Sequence, residues 1–206
     1  QRPSGGTVVF GGSRLYELSP NELAAFRANQ IGIVYQQNYW VKSLTVLENV
    51  SIPMYFLGYS RANATKIAIQ ALEQVGMGAY TKKSPAMLSG GEQQRIAMAR
   101  AIVNNPLFII ADEPTGSLDS KNGDMIMNLL QECQTTLKRT IILVTHNMEY
   151  LPLADKLLHI EDGHVQEQRD GSIKATADEL LAQMKERIDR LAKAKDHGAP
   201  RVKKIQ

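Results

Sequence analysis

An α/β fold built on a mostly parallel sheet is what this sequence predicts, and three observations predict it. Leu107-Phe108-Ile109-Ile110-Ala111 is an uninterrupted apolar run that ends in two adjacent carboxylates, Asp112 and Glu113, the pattern of a buried strand that delivers acids to the carboxyl edge of a parallel sheet. Thr140-Ile141-Ile142-Leu143-Val144-Thr145 is a second such run and ends in His146. Helical periodicity lies before the first run and between the two, at Ile96, Ala99 and Val103 and again at Met125, Ile126, Leu129 and Leu130, as crossover connections require.

Taken in order, Gly6-Thr7-Val8-Val9-Phe10 reads as a short strand closed by Gly11-Gly12. Ser19-Pro20-Asn21-Glu22 is a capping box with proline at the first helical position, so a helix runs to about Asn29. Ile31-Gly32-Ile33-Val34-Tyr35 returns to strand and is followed at once by Gln36-Gln37. Residues 44–87 read as helical: one helix from about Val46, a break at Pro53 or Gly58, and a second helix from about Arg61 to Val75 with Ile67, Ala71, Leu72 and Val75 on one face. Trp40, Tyr55, Phe56 and Tyr59 gather near the start of this region. They suit either a groove for a partner helix or the packing of the region itself.

A helix from about Gly91 to Asn104 follows Ser89, with Arg95 and Arg100 as surface or pairing charges, and Asn104-Asn105-Pro106 stops it. Asp119 stands where a helix N-terminus favours an acid, since a helix starts near Lys121; Met127 there reads as a gap filler. Glu161-Asp162-Gly163 between two apolar stretches signals a hairpin. Thr176-Ala177-Asp178-Glu179 is another capping box, and Leu180, Leu181, Met184, Ile188 and Leu191 recur at helical spacing. The organisation expected is therefore 1–43 and 88–168 as the parts of one core, 44–87 as a helical subdomain, and 169–206 as an amphipathic helix with a basic tail.

Composition narrows the class. The 206 residues are 43% hydrophobic, enough to bury a sizeable core. No apolar run approaches the length of a membrane span and Gln1-Arg2-Pro3-Ser4-Gly5-Gly6 has no apolar signal core, so membrane contact is expected only through a partner. The lone Cys133 allows no internal disulfide. The net charge of +3 belongs to the tail, where residues 185–206 hold eight Lys/Arg against three acids. No aromatic interleaves with those charges, so no nucleic-acid partner is expected.

The chemistry-bearing residues lie at the strand ends and one helix start. Ser89-Gly90-Gly91 places backbone N–H groups at a helix N-terminus, where a phosphate can sit. Of two neighbouring carboxylates at a strand end, Asp112 can hold a magnesium ion while Glu113 activates water.

Leu88-Ser89-Gly90-Gly91, followed by Glu92 where glutamine is commoner, together with Leu107–Glu113, resembles the signature and Walker B strand of the ATP-binding cassette (ABC) ATPases. The resemblance covers residues 1 to about 168 and implies a P-loop NTPase-like ABC ATPase core with a mostly parallel sheet plus a helical subdomain. It implies that Gln36 is the Q-loop glutamine reaching magnesium and the attacking water, and that Leu44–Val50 leads into the subdomain that meets a membrane permease. It further implies that Asp119 belongs to a D-loop crossing a dimer interface and that His146 contacts the γ-phosphate. ATP and Mg2+ would lie between one copy and Ser89, Gly90, Gly91 and Glu92 of a second, with the pair peripheral on the cytoplasmic face of the membrane. Asn104-Asn105-Pro106, Ala111–Gly116 and Leu44–Val50 are similar to the lipoprotein-release, macrolide-export and cell-division branch, although Ser117 stands where asparagine is common.

The family's Gly-x-x-x-x-Gly-Lys-Ser/Thr loop, Walker A, does not occur in the 206 residues. The resemblance puts that loop upstream of Gly5, so the expectation is a chain without the N-terminal part of the core, inactive alone, and lacking a central strand beside Walker B. Two other classes remain open. One is a non-catalytic module donating its signature to a partner, against which Glu113 and His146 both argue. The other is a non-transport ABC ATPase, whose DNA-repair form would need a coiled coil where only 51 residues separate Gln36 from Leu88.

Overall fold

The computed structural model describes residues 3–169. It divides into two compact units that part between Thr145 and His146.

The first unit opens with a hairpin of β1 (Val9–Phe10) and β2 (Ser13–Arg14), whose turn is Gly11-Gly12. The Phe10 ring meets Phe108 edge-on at 4.4 Å. Helix α1 (Pro20–Gln30) starts at the expected capping box: Ser19 Oγ accepts from the Glu22 amide, and the Glu22 carboxylate accepts from the Ser19 amide. Strands β3 (Ile31–Val34), β4 (Phe108–Asp112) and β5 (Thr140–Val144) form one parallel sheet in the order β3-β4-β5. Ile31 pairs with Phe108 and Phe108 with Thr140, so the three carboxyl ends come level.

This order corrects one expectation. A strand missing beside Walker B would leave β4 with an open edge, yet β4 is hydrogen-bonded on both sides. The edges unpaired among the described residues are the outer ones of β3 and β5, and on β5 Ile142 and Val144 are 38% and 51% exposed. Hydropathy could not tell the two strands apart, because both are continuous apolar runs.

Between β3 and β4 the chain builds the helical region: α2 (Val46–Phe56), α3 (Arg61–Gln74) and α4 (Gly90–Ile102). Helix α2 runs through Pro53 and ends instead at Gly58, whose φ is +80°. Proline removes one backbone bond, but Val46, Val50 and Met54 are buried on both sides of it, and that apolar face outweighs the loss. Thr45 Oγ1 and Glu48 form a second capping box at the start of α2. On α3 the buried face is Ala64, Ala68, Ala71 and Leu72, with Ile67 half-buried.

Helix α4 is the hub, because it packs against β3, α2, α3 and α5 (Ser120–Thr135). Its Ile96, Ala97, Met98 and Ala99 are fully buried, the two alanines letting neighbours approach closely while Ile96 and Met98 fill the space between them. On α5, Ile126, Met127 and Leu130 are buried and Met125 and Leu129 half-buried.

The second unit, described to Arg169, contains a 3-10 stretch, Met148–Leu153, and an antiparallel hairpin of β6 (Lys156–Glu161) and β7 (His164–Arg169). Asp162 and Gly163 have φ of +48° and +79°, the two left-handed positions of a tight hairpin turn. The capping box at Thr176 and the apolar pattern from Leu180 to Leu191 lie outside the described residues.

Candidate active site

Strand ends carry the first cluster. Gln36 leaves β3 two residues after Val34, and Asp112, exposed, is the last residue of β4. Glu113 follows in the left-handed region at φ +45°, a conformation that costs a non-glycine residue of order 1 kcal/mol or more. Its neighbours hold it there. The Glu113 amide donates to Val144 O of β5 at 2.9 Å, and its carbonyl accepts from the Gly116 amide at 3.2 Å. Thr145 Oγ1 donates to Glu113 Oε2 at 3.4 Å. The twist turns Glu113 out of the sheet direction just where β4 ends.

Gly116 lets this turn close against the glutamine. A Cβ on Gly116 would stand 3.2 Å from Gln36 Nε2, 3.6 Å from Glu113 O and 3.7 Å from Glu113 Cβ. Gln36 and Glu113, 77 positions apart, therefore flank one bare α-carbon.

The helix start forms a second cluster. Ser89 caps α4: its Oγ accepts from the Glu92 amide at 3.4 Å, and the Glu92 carboxylate accepts from the Ser89 amide and hydroxyl, both at 2.8 Å. Glu92 is thus one half of a capping box, a role its Ser-x-x-Glu spacing announces. Backbone and hydroxyl of Ser89 and then the Tyr80 phenol hold its carboxyl below the usual carboxylate range. With the Glu92 amide occupied, the amides of Gly90 and Gly91 remain the first-turn donors without an intrahelical acceptor. Gly91 is buried against Asn122, whose Oδ1 would lie 2.5 Å from an added Cβ, whereas Gly90 meets only Leu118.

Asp119 is the N-cap of α5. Its carboxylate accepts from the Asn122 amide at 3.0 Å and from Asn122 Nδ2 at 2.6 Å, which lowers its pKa. Asn122 thereby links Asp119 to Gly91, a connection no sequence spacing displays. His146 lies in the second unit, exposed, one residue before Asn147 caps the 3-10 stretch.

The signature helix also reaches back to the segment after Gln36. Buried Gln94 donates to Tyr35 O at 3.2 Å, Arg100 donates to Asn38 O at 2.6 Å, and Trp40 Nε1 donates to Gln93 Oε1 at 2.8 Å. Arg100 is consequently not a surface charge and forms no ion pair among the described residues: it lies 4.5 Å over the Trp40 ring, and burial lowers its pKa.

A Q-strand, a glycine-started helix and an Asp-Glu strand end, in this order along the chain, are the layout of an ATP-binding cassette. The family model described as ABC transporter matches residues 1–116. The chain belongs to the ABC transporter family. It is an ABC-type ATPase, with the fold of that cassette. An uncharacterized ABC transporter ATP-binding protein of Methanocaldococcus jannaschii is 43% identical over 165 residues, spanning 80% of this chain and 73% of the relative. The lipoprotein-releasing system ATP-binding protein LolD of a Shewanella species is 38% identical over the same length, with 80% and 71% covered. Among solved structures, the dimeric post-hydrolysis state of the ATP-binding cassette MJ0796, bound to ADP and Pi, superposes with a TM-score of 0.74 at 35% identity, covering 82% of this chain and 75% of that one. cbiO1 from Clostridium perfringens, part of the cbiONQ transporter complex, gives 0.76 at 28% identity over 95% and 78%.

Proposed function

We propose that this ABC ATPase is the ATP-binding subunit of a transporter, working as a head-to-tail pair on the cytoplasmic face of a membrane permease, in an export or force-transmitting system. The observation that carries this reading is the approach of the Gln36 amide to Gly116, in the turn that Glu113 opens. A side-chain amide brought against the turn that carries a carboxylate can help to orient and deprotonate a single water. Glu113 takes the proton of the water that attacks the γ-phosphate, and the Gln36 amide holds that water in line. Ser89 and the amides of Gly90 and Gly91 receive the nucleotide of a second copy, Glu92 keeps that turn rigid, and Asp119 faces the same boundary. His146 contacts the γ-phosphate.

The donors present suit magnesium, which prefers oxygen ligands and takes one or two carboxylates alongside phosphate and water: exposed Asp112 and the Gln36 carbonyl are the residues that would hold it. Bound there, Mg2+ would neutralise charge on the β- and γ-phosphates.

The permease contact is placed on the subdomain 44–87. Phe56 is 79% exposed, and Tyr55 and Tyr59 are 40% and 45% exposed at the end of α2, an aromatic rim of the kind that receives a partner helix. No described helix is long and apolar enough to cross a membrane. The name of the LolD relative supports the lipoprotein-release branch.

Glu113→Gln in the full-length subunit tests the assignment. Steady-state ATP hydrolysis is expected to fall by about 100-fold or more, the scale of a general base, and light scattering is expected to find an ATP-dependent dimer. Undiminished hydrolysis would overturn it.

A further inference from the structure

The stretch that carries Gln36 out of the sheet is held by the signature helix as much as by its own strand. Residues 35–41 have no regular structure, and Gln36, Gln37 and Tyr39 are exposed. Left to itself such a segment would sample many conformers, at about 1–2 kcal/mol of backbone entropy per residue to be fixed. Three side chains of α4 restrict it. Gln94 holds the carbonyl immediately before Gln36, and Arg100 holds the carbonyl two residues after it. Gln93 accepts the Trp40 indole N–H while its own Nε2 donates to Leu88 O at 2.9 Å. One amide thus joins the indole to the residue that precedes Ser89. Arg100 closes the arrangement over the face of the indole at 4.5 Å, a contact that gains strength where water is excluded.

We infer that Trp40 is a positioning residue for Gln36: clamped between Gln93 and Arg100, it makes residues 35–40 follow α4, so the seating of Ser89 on nucleotide sets where the Gln36 amide stands beside Glu113. The 13 residues of α4 form a rigid rod about 20 Å long. A shift at its first turn is carried undiminished to Gln94 and Arg100. This inference rests on the role of Gln36 proposed above.

The test measures kcat and KM for ATP in the full-length subunit. Trp40→Phe keeps a ring under Arg100 and removes the N–H donor; Gln93→Leu removes the acceptor from the other side. Each is expected to lower kcat about fivefold, the worth of one neutral hydrogen bond, with KM within about twofold of the parent. Gln36→Ala combined with Trp40→Phe is expected to be no slower than Gln36→Ala alone. Unchanged kcat in both clamp variants, a rise in KM at constant kcat, or losses that multiply with Gln36→Ala would each overturn the clamp and leave the site reading intact. Full activity in Gln36→Ala alone would overturn the role of Gln36 and, with it, the clamp.

Discussion

Gly32 sits in the middle of β3, where a strand former would be expected, and its reason is a neighbour. A Cβ there would run into the carbonyl of Ala101 on α4 and lie 3.1 Å from Pro106 Cγ. Backbone cannot step aside as a side chain can, so Gly32→Ala should destabilise the first unit by about 1–3 kcal/mol, read as a lower urea midpoint at unchanged slope. Gly116→Ala is a gentler case, because the atom it crowds is the mobile end of Gln36. Its midpoint should barely move while hydrolysis in the full-length subunit falls. Asn49 differs, since its burial has a polar explanation. Its Oδ1 accepts from the Val41 amide, and its Nδ2 faces the carbonyls of Val41, Leu44 and Thr45. Asn49→Ala would strand these groups at about 1–3 kcal/mol, again measurable in urea. The neighbours that fix the two glycines lie far off in sequence, whereas the partners of Asn49 lie within eight positions of it.

At the scale of elements, helix starts repeat one device. Ser19/Glu22, Thr45/Glu48 and Ser89/Glu92 are all capping boxes, and in each the carboxyl is lowered from 4.5 chiefly by hydrogen bonds to its cap residue. A carboxyl whose folded pKa is depressed contributes stability that is fully present above its unfolded value and is lost as pH falls through the folded one. Stability measured by urea unfolding should therefore hold steady above about pH 4.5 for these groups and decline below it. Thr45→Ala should cost about 1 kcal/mol at neutral pH and shrink the acid-side decline, because Glu48 then has less to lose. Cys133 titrates the other way. Burial, then Glu132, pushes its thiol up to about 11, so alkylation in native buffer at pH 8 should be far slower than in denaturant, as followed by mass.

For the whole first unit, the consequence of the sheet order is an open edge. Strand β5 exposes Ile142 and Val144 beside backbone groups that no described strand pairs. A flat apolar edge of this kind recruits other chains. Light scattering of the 206-residue chain should report association that grows with concentration, and Ile142→Lys should suppress it.

Sequence patterning by itself determined the elements and their chemistry. Caps at Ser19 and Asp119, the break at Asn104-Asn105-Pro106, the parallel strands that lead into Gln36 and Asp112-Glu113, and the glycine-started helix at Ser89 are all local signals, since caps, turns and periodicity act over a few residues. Tertiary structure alone decided which strand lies between which, why Gly32 and Gly91 must be glycine, and that Trp40, Gln93 and Arg100 form one clamp. Those facts depend on groups 31 or more positions apart being brought into contact, and a chain's local preferences carry no record of which distant side chain will fill the space beside them.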